Sequence, residues 1–202
     1  MRFIEKCAYS CAKFIQVNRG QTHEDRATLY FGFQAVFGDV VKFLVIAFLS
    51  MILNSFIATL ILTLSFILIR SYAGGIHMDT EGSCLLMSIC LLVIPGATIN
   101  YTYKYLSVVA ICILCLVIFV ISFICVKIYA PIDCINRPIT EQSEISKFKH
   151  NSILCLIILL FITIICILLK QNLIATAIFI GVLMETCTIV PFGYRLLDKL
   201  NK

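Results

Sequence analysis

An apolar stretch from Ala27 to Ile69 constrains the fold of this chain more than any other feature. As a single helix it would be about 64 Å long at 1.5 Å per residue, roughly twice the 30 Å thickness of a bilayer core. The stretch therefore predicts two transmembrane helices, spanning Ala27–Ser50 and Ile52–Ile69, with a turn near 50–54. Four further apolar runs follow, at Cys84–Ile99, Leu106–Ile128, Ser152–Leu169 and Leu173–Phe192.

The composition is typical of a chain that lies mostly in lipid. Hydrophobic residues make up 61% of the 202 residues and charged residues only 13%. Soluble domains are nearer half apolar and a quarter charged. The chain has no basic stripe with interleaved aromatic residues, so no nucleic-acid partner is predicted.

The first span contains two charged residues, Asp39 and Lys42, three positions apart on one helical face. Residues at this spacing can form an ion pair, which makes charge inside a membrane helix tolerable. Six spans are therefore expected. A chain of five spans, with Gly32–Val41 lying at the membrane interface, is the alternative.

The N-terminal segment carries apolar residues at helical spacing, backed by Lys and Gln. The apolar positions are Phe3, Ile4, Cys7, Ala8, Cys11, Phe14 and Ile15. The pattern predicts an amphipathic interfacial helix over 1–22, lying on the membrane surface, with packing against the protein's own loops as the alternative. Because Glu5, Lys6 and Lys13 interrupt the segment, a signal peptide is not expected.

The distribution of positive charge predicts how the spans are oriented. Six spans place both termini on the same side of the membrane. Of the 16 Lys and Arg residues, only Lys104 and Lys170 then fall on the other side, and Lys42 falls within a span. Positive residues collect in cytoplasmic loops. We therefore expect a multi-pass protein of the cell membrane with both termini in the cytoplasm, and we assign the net charge of +5 to topology.

The organisation predicted for the chain is a single polytopic membrane domain over 1–202, because neither an internal repeat nor a soluble domain is evident. Its longest hydrophilic connection, over 129–151, contains two prolines and mixed charge and is expected to be a cytoplasmic loop. The connection over 70–84 is also predicted to face the cytoplasm, and its residue types suggest chemistry.

The eleven cysteines are odd in number, and most lie inside apolar runs. There a thiol behaves as a small hydrophobic group, and no spacing suggests a disulfide framework. Cys112 and Cys115 form a CxxC, but no His or second CxxC accompanies it. We therefore predict no metal site and no cofactor.

Cys84 differs from the other cysteines because it begins a predicted span, directly after Gly82 and Ser83. A helix N-terminus presents N–H groups and a partial positive charge, which favour a negative thiolate and can hold an oxyanion. His77 lies seven positions earlier in the same connection. These two residues are the candidate nucleophile and base of a cysteine peptidase.

Helix geometry limits how His77 and Cys84 can meet. On one straight helix they would be about 10.5 Å apart along the axis, whereas a hydrogen bond is about 3 Å. Either the chain bends between them or the pair forms across a dimer. Asp79, Glu81 and Glu185 are candidates for a third residue that orients the imidazole.

A metal site is the alternative interpretation of this connection, because His77 and Glu81 are four positions apart and Asp79 lies between them. The segment HMDTE does not match HExxH, however, and it lacks a second imidazole. The sequence therefore favours the cysteine peptidase.

Two charged residues, one at the end of a predicted span and one inside another, have structural alternatives. Arg70 can be a cation that extends to the membrane surface. Glu185 lies within the last span, where a carboxylate suggests function, but it can equally be the structural partner of Arg70 or Lys42.

The residues of the second connection carry a resemblance to a known family. The stretch IRSYAGGIHMDTEGSC contains Arg70, Gly74, Gly75, His77 and Cys84 in a specific order. Together with the N-terminal segment, the YAPIDCINRPI loop and METCTIVPF near the end, it resembles the accessory gene regulator protein B (AgrB) peptidases of quorum-sensing systems. The resemblance extends over nearly the whole chain.

The resemblance implies an activity that spacing alone does not indicate. Members of this family cleave a small precursor peptide on its C-terminal side at the cytoplasmic face. The Cys forms a thioester with the peptide, and a Cys or Ser within the peptide then closes a thiolactone or lactone ring. Carried over here, Cys84 is the nucleophile and His77 is the base, while Arg70 and Gly75 match further required positions.

The resemblance also implies partners. These are a small amphipathic precursor peptide of the AgrD kind, the membrane lipid and, since members are often dimeric, a second copy of the chain. A small multi-pass transporter or permease subunit is the rival interpretation. It would explain the spans, but it gives no reason for His77 and Cys84, and the inverted repeats typical of transporters are not evident.

Overall fold

The computed structural model of the protein describes residues 2–20, 22–75, 80–132 and 142–191. Six helical segments in these ranges are long and apolar enough to cross a membrane: His23–Ile52, Phe56–Ala73, Gly82–Tyr105, Val108–Tyr129, Gln142–Leu168 and Asn172–Ile189. The described ranges contain helices and no strand. The prediction of an all-α, multi-pass membrane protein with six spans is confirmed, and the five-span alternative is wrong.

The chain forms two compact units, Met1–Phe48 and Leu49–Lys202. The first unit contains helix α1 (Arg2–Arg19) and most of helix α2 (His23–Ile52). On α1, Ile4, Ala8 and Ala12 are buried at a spacing of four, whereas Phe14 is exposed. An amphipathic helix is therefore present, and its position on the membrane surface stays a prediction.

The start of α2 is stabilised by a reciprocal cap. The Thr22 hydroxyl and backbone N–H both donate to the Asp25 carboxylate, at 2.8 and 3.0 Å, and the Asp25 N–H donates to the Thr22 hydroxyl. This arrangement resembles a capping box. Further along α2, Lys42 Nζ lies 2.7 Å from Asp39 Oδ1. The predicted ion pair within the first span is confirmed.

The second unit is built around its last helix. It contains α3 (Phe56–Ala73), α4 (Glu81–Ser88), α5 (Ile94–Thr102), α6 (Val108–Tyr129), α7 (Gln142–Leu168) and α8 (Asn172–Ile189). Helix α8 packs against α3, α6 and α7, and a larger share of it is buried than of any other span. Most side chains on α8 therefore lie among protein atoms.

Two glycines allow the helices of this unit to approach closely. A Cβ added to Gly181 on α8 would lie 2.5 Å from the Leu62 carbonyl oxygen on α3, and a Cβ on Gly96 of α5 would lie 2.9 Å from Thr59 Cα and Cβ. Membrane helices associate through such small residues because lipid provides no hydrophobic drive between them. Helix α3 is therefore held between α5 and α8.

The third span is one continuous helical segment, but a π-helical turn divides it into α4 and α5. Pro95 has no N–H to donate, and in a regular helix its ring would collide with the carbonyl of the residue four positions earlier. The chain accommodates it with a π-helical turn over Ile89–Val93, in which the Ile94 N–H donates to the Ile89 carbonyl. The turn separates α4, which carries Cys84, from α5, which carries Gly96.

Replacing Gly181 with leucine is expected to destabilise the second unit. The added side chain cannot fit against the α3 backbone, and overpacking typically costs about 1–3 kcal/mol. The temperature of thermal unfolding in detergent should fall by several degrees. As a matched control, Gly32→Ala should leave it unchanged, because a Cβ at Gly32 on α2 meets nothing within 4 Å. Equal unfolding temperatures for the two variants would contradict the close packing of α3 and α8.

Candidate functional site

The candidate residues that the structure describes lie at one end of the second unit. Helix α3 ends at Ala73 and α4 begins at Glu81, so Cys84 lies near the membrane end at which α3 stops. Helices α6 and α8 run in the same direction as α3, because one span lies between α3 and α6 and three lie between α3 and α8. Their C-terminal ends at Tyr129 and Ile189 therefore belong to the same side.

Cys84 lies in the first turn of α4, which Thr80 caps. The Thr80 hydroxyl accepts from the Ser83 N–H at 3.1 Å, and the Cys84 N–H donates to the Thr80 carbonyl at 3.0 Å. Thr80 has an extended backbone, with φ −118° and ψ 144°, so α4 does not continue through it. The Cys84 side chain is partly exposed at this helix end.

Arg70 and Glu185 form an ion pair between α3 and α8. Arg70 Nη1 lies 3.6 Å from Glu185 Oε2. The Glu185 side chain is completely buried, whereas 28% of the Arg70 side chain is exposed. The Arg70 guanidinium also lies 5.5 Å from the centre of the Phe66 ring. Of the two partners that the sequence left open for Glu185, the structure selects Arg70.

Gly74 and Gly75, which follow α3, each make a close contact that leaves no room for a side chain. Gly74 forms a parallel bridge with Ile132, whose N–H donates to the Ala73 carbonyl at 2.9 Å. A Cβ at Gly74, where φ is +73°, would overlap the Ile132 carbonyl oxygen. The bridge joins the residues after α3 to those after α6.

Gly75 is packed against the ion pair itself. A Cβ at this position would lie 2.6 Å from Arg70 Nη1 and 3.1 Å from Thr188 Oγ1. The φ angle of Gly75 is +153°, a value that residues other than glycine rarely adopt. The absence of a side chain at Gly75 therefore makes the room in which the Arg70 guanidinium lies.

The structure thus brings Arg70, Gly75 and Glu185 together, with Cys84 at the same end of the helices. His77 and Asp79 lie outside the described residues, and so does the side chain of Glu81. The predicted bend between His77 and Cys84 falls mainly in this part, and the roles of all these residues stay predictions.

Sequence reasoning missed two residues that shape this end of the unit, namely Ile132 and Thr188. Thr80 carries a local signal, since Thr is a preferred N-cap residue. Ile132 and Thr188 carry none, because each acts through a contact with a residue far away in sequence.

The family model described as Accessory gene regulator B matches residues 8–189. No solved structure matches the chain significantly.

Curated relatives match over nearly their full length. A putative AgrB-like protein of Clostridium perfringens (strain SM101) is 25% identical over 187 residues, which cover 89% of this chain and 87% of the relative. The accessory gene regulator protein B of Staphylococcus aureus (strain Newman) is 26% identical over 195 residues, which cover 96% of this chain and 97% of the relative. The chain therefore belongs to the accessory gene regulator B family of quorum-sensing proteins, as the order of Arg70, Gly75, His77 and Cys84 predicts.

Proposed function

We propose that the protein is a membrane cysteine endopeptidase that cleaves a small precursor peptide and promotes its cyclisation into a thiolactone or lactone signal. The observation that carries this proposal is the position of Cys84, in the first turn of a capped helix and near the end of the unit that holds Arg70 and Gly75. Membership of a quorum-sensing family supports a peptide signal as the product.

The first step is acyl transfer to the enzyme. The Cys84 thiolate attacks the carbonyl carbon of the scissile peptide bond, and the developing oxyanion is stabilised by nearby N–H donors. The C–N bond then breaks, and the leaving amine takes the proton that the base had removed from the thiol. The C-terminal tail departs, and the rest of the peptide remains as a thioester on Cys84. In this proposal His77 is the base and then the acid.

The second step is ring closure. A thiol or hydroxyl within the peptide attacks the thioester carbonyl, loses its proton and releases the Cys84 thiol. Exchange between two thiols leaves the acyl group about equally activated, so it is nearly balanced in free energy. Hydrolysis of the thioester would release a linear peptide and so compete with ring closure. A site at the membrane that excludes water favours cyclisation.

The substrate we propose is an AgrD-like peptide with an amphipathic segment, a central Cys or Ser and an acidic tail. A short neighbouring open reading frame is expected to encode it. An amphipathic peptide would lie on the membrane surface, near the N-terminal helix α1. The guanidinium of Arg70 suits a carboxylate of this peptide, because its planar fork matches carboxylate geometry.

The distribution of Lys and Arg supports a cytoplasmic location for both termini and for the active site. A newly made peptide would be met on that side of the cell membrane. Lipid is then the second partner of the protein, and a homodimer is the proposed assembly.

The covalent intermediate provides the test of this function. The purified protein in lipid nanodiscs is mixed with the precursor in which the ring-forming Cys or Ser is replaced by Ala. We expect a mass increase equal to the tail-free peptide acid less one water, because its acyl group replaces the thiol hydrogen of Cys84. Neutral hydroxylamine should cleave this thioester and remove the added mass. Cys112→Ala, which changes an exposed thiol on α6, should form the same adduct. Tail release without such an adduct would contradict the proposal and favour another protease, and the absence of both adduct and tail release would favour a transporter.

A further inference from the structure

Glu185 is a fully buried carboxylate whose hydrogen-bonding capacity is not used by its neighbours. Among the described residues, no donor forms a hydrogen bond with either Oε1 or Oε2. The hydroxyl of Thr188 donates to the Glu185 backbone carbonyl at 2.8 Å, and that of Thr186 contacts Ser122 Oγ and the Val182 carbonyl. The hydroxyl groups around Glu185 are therefore directed to other acceptors.

A buried carboxylate without hydrogen bonds lowers the stability of the folded protein. Removing a charge from water without hydrogen bonds is among the most unfavourable changes in folding, and an ion pair offsets it only with good geometry. The Arg70 contact, at 3.6 Å, is longer than the 2.7–3.2 Å of an N–H···O hydrogen bond. The pair is a weak source of stability, so a role for Glu185 in the chemistry of Arg70 explains its presence better.

The surroundings of Arg70 direct its guanidinium. Glu185 attracts it from α8, the Phe66 ring lies 5.5 Å away on α3, and Gly75 provides the space in which Nη1 lies. The Arg70 side chain is 28% exposed, so a ligand can reach this residue, whereas Glu185 is completely buried. Arginine carries five N–H donors in a planar fork, so one edge can face Glu185 while another faces a ligand.

We infer that Glu185 is a positioning residue that holds the Arg70 guanidinium toward a carboxylate of the bound precursor, and so sets the preference of the site for an acidic peptide. This inference rests on the proposed function, since it deepens the specificity of the same site. Glu185 touches neither the peptide nor the reacting atoms. Its effect on the reaction passes through Arg70.

The test compares two peptides on each variant in nanodiscs. One peptide is the precursor with its acidic tail, and in the other the Asp and Glu side chains are replaced by Asn and Gln. The measured quantity is the ratio of kcat/KM for tail release from the two peptides. A charge-assisted hydrogen bond is worth a factor of about 10 or more. We expect the protein to prefer the acidic peptide by about this factor, mainly through KM.

Glu185→Gln should bring the ratio to within about threefold of one, and so should Arg70→Gln. The double variant should show the same ratio as Arg70→Gln alone, because Glu185 acts only through that residue. Glu185→Asp should keep part of the preference. If Glu185→Gln folds poorly, Glu185→Asp supplies the comparison, since it keeps a negative charge beside Arg70 but shortens the side chain, and a full preference in that variant would contradict the inference.

Thr176→Val is the matched control. Thr176 is a buried polar residue of the same helix, and within the described ranges its hydroxyl donates to the Asn172 carbonyl. The preference for the acidic peptide should be unchanged in this variant.

Two results would overturn the inference. One is a Glu185→Gln protein that keeps the full preference while Arg70→Gln loses it, and the other is an Arg70→Gln protein that keeps it. Failure of the underlying function has a different signature. In that case a Cys84→Ala protein would release the tail from both peptides as fast as the parent.

Discussion

Replacing Cys84 with alanine should abolish release of the precursor tail, lowering kcat/KM by at least about 1,000-fold. Alanine cannot form the thioester, so both cleavage and ring closure lose their shared intermediate. Release is measured by mass spectrometry on nanodiscs that contain equal amounts of folded parent and variant. Folding should be unaffected, because the partly exposed thiol contributes little to the packing of α4.

Three further variants sharpen this result. Cys84→Ser should also be nearly inactive, because a hydroxyl is far harder to deprotonate than a thiol. Replacing the proposed base, as in His77→Gln, should reduce the rate strongly but leave the Cys84 thiol in place. Cys112→Ala should behave as the parent, since this exposed cysteine lies near the start of α6, at the other end of the span. Continued tail release by Cys84→Ala would end the cysteine peptidase proposal.

Replacing Gly75 with alanine should lower kcat/KM for the acidic precursor by about 10–100-fold. The backbone would have to keep a φ of +153° with a side chain present, which costs on the order of 1–3 kcal/mol. The new methyl group would also lie 2.6 Å from Arg70 Nη1 and would force the guanidinium to move. Tail release measured over a range of peptide concentrations should show the loss mainly in KM.

A second substitution separates these two causes. If Gly75→Ala acts by displacing Arg70, its effect should be much smaller in a protein that already carries Arg70→Gln. An undiminished effect there would mean that backbone strain alone is responsible. Gly32→Ala, at a helical position with open space around it, should have no effect on tail release.

The spans could be predicted from the sequence because hydropathy is a local property that sums along the chain. The run expected at Leu106–Ile128 corresponds to a helix at Val108–Tyr129, and its apolar residues would favour lipid whatever they packed against. The same holds for the turn after the first span, where the chain turns at Leu53 and Asn54.

The ends of the helices were harder to predict, because polar residues extend helices beyond the apolar run. Helix α2 begins at His23 rather than Ala27, since Thr22 and Asp25 cap it. Helix α7 begins at Gln142, well before the apolar run expected from Ser152. These polar helix ends form because their backbone N–H and C=O groups are hydrogen-bonded, and not because their side chains are apolar. Hydropathy therefore does not detect them.

At the site, the sequence identified residue types better than contacts. A carboxylate within the last span indicated a charged partner, but the choice between Arg70 and Lys42 depended on which helices are neighbours. The reason for Gly74 could not be found locally, because its close contact is with Ile132, after α6. Contacts between distant segments are the part of a site that periodicity and composition do not encode.

The π-helical turn at Ile89–Val93 affects the direction in which the third span presents its first residues. Such a turn adds about one residue to the regular helical repeat, and each residue rotates the helix by about 100°. Gly96, beyond the turn, is fixed against Thr59 on α3. Relative to an uninterrupted helix, the Cys84 side chain is therefore rotated about the axis of the span by roughly 100°. The π-helical turn thus determines which face of the span carries the thiol.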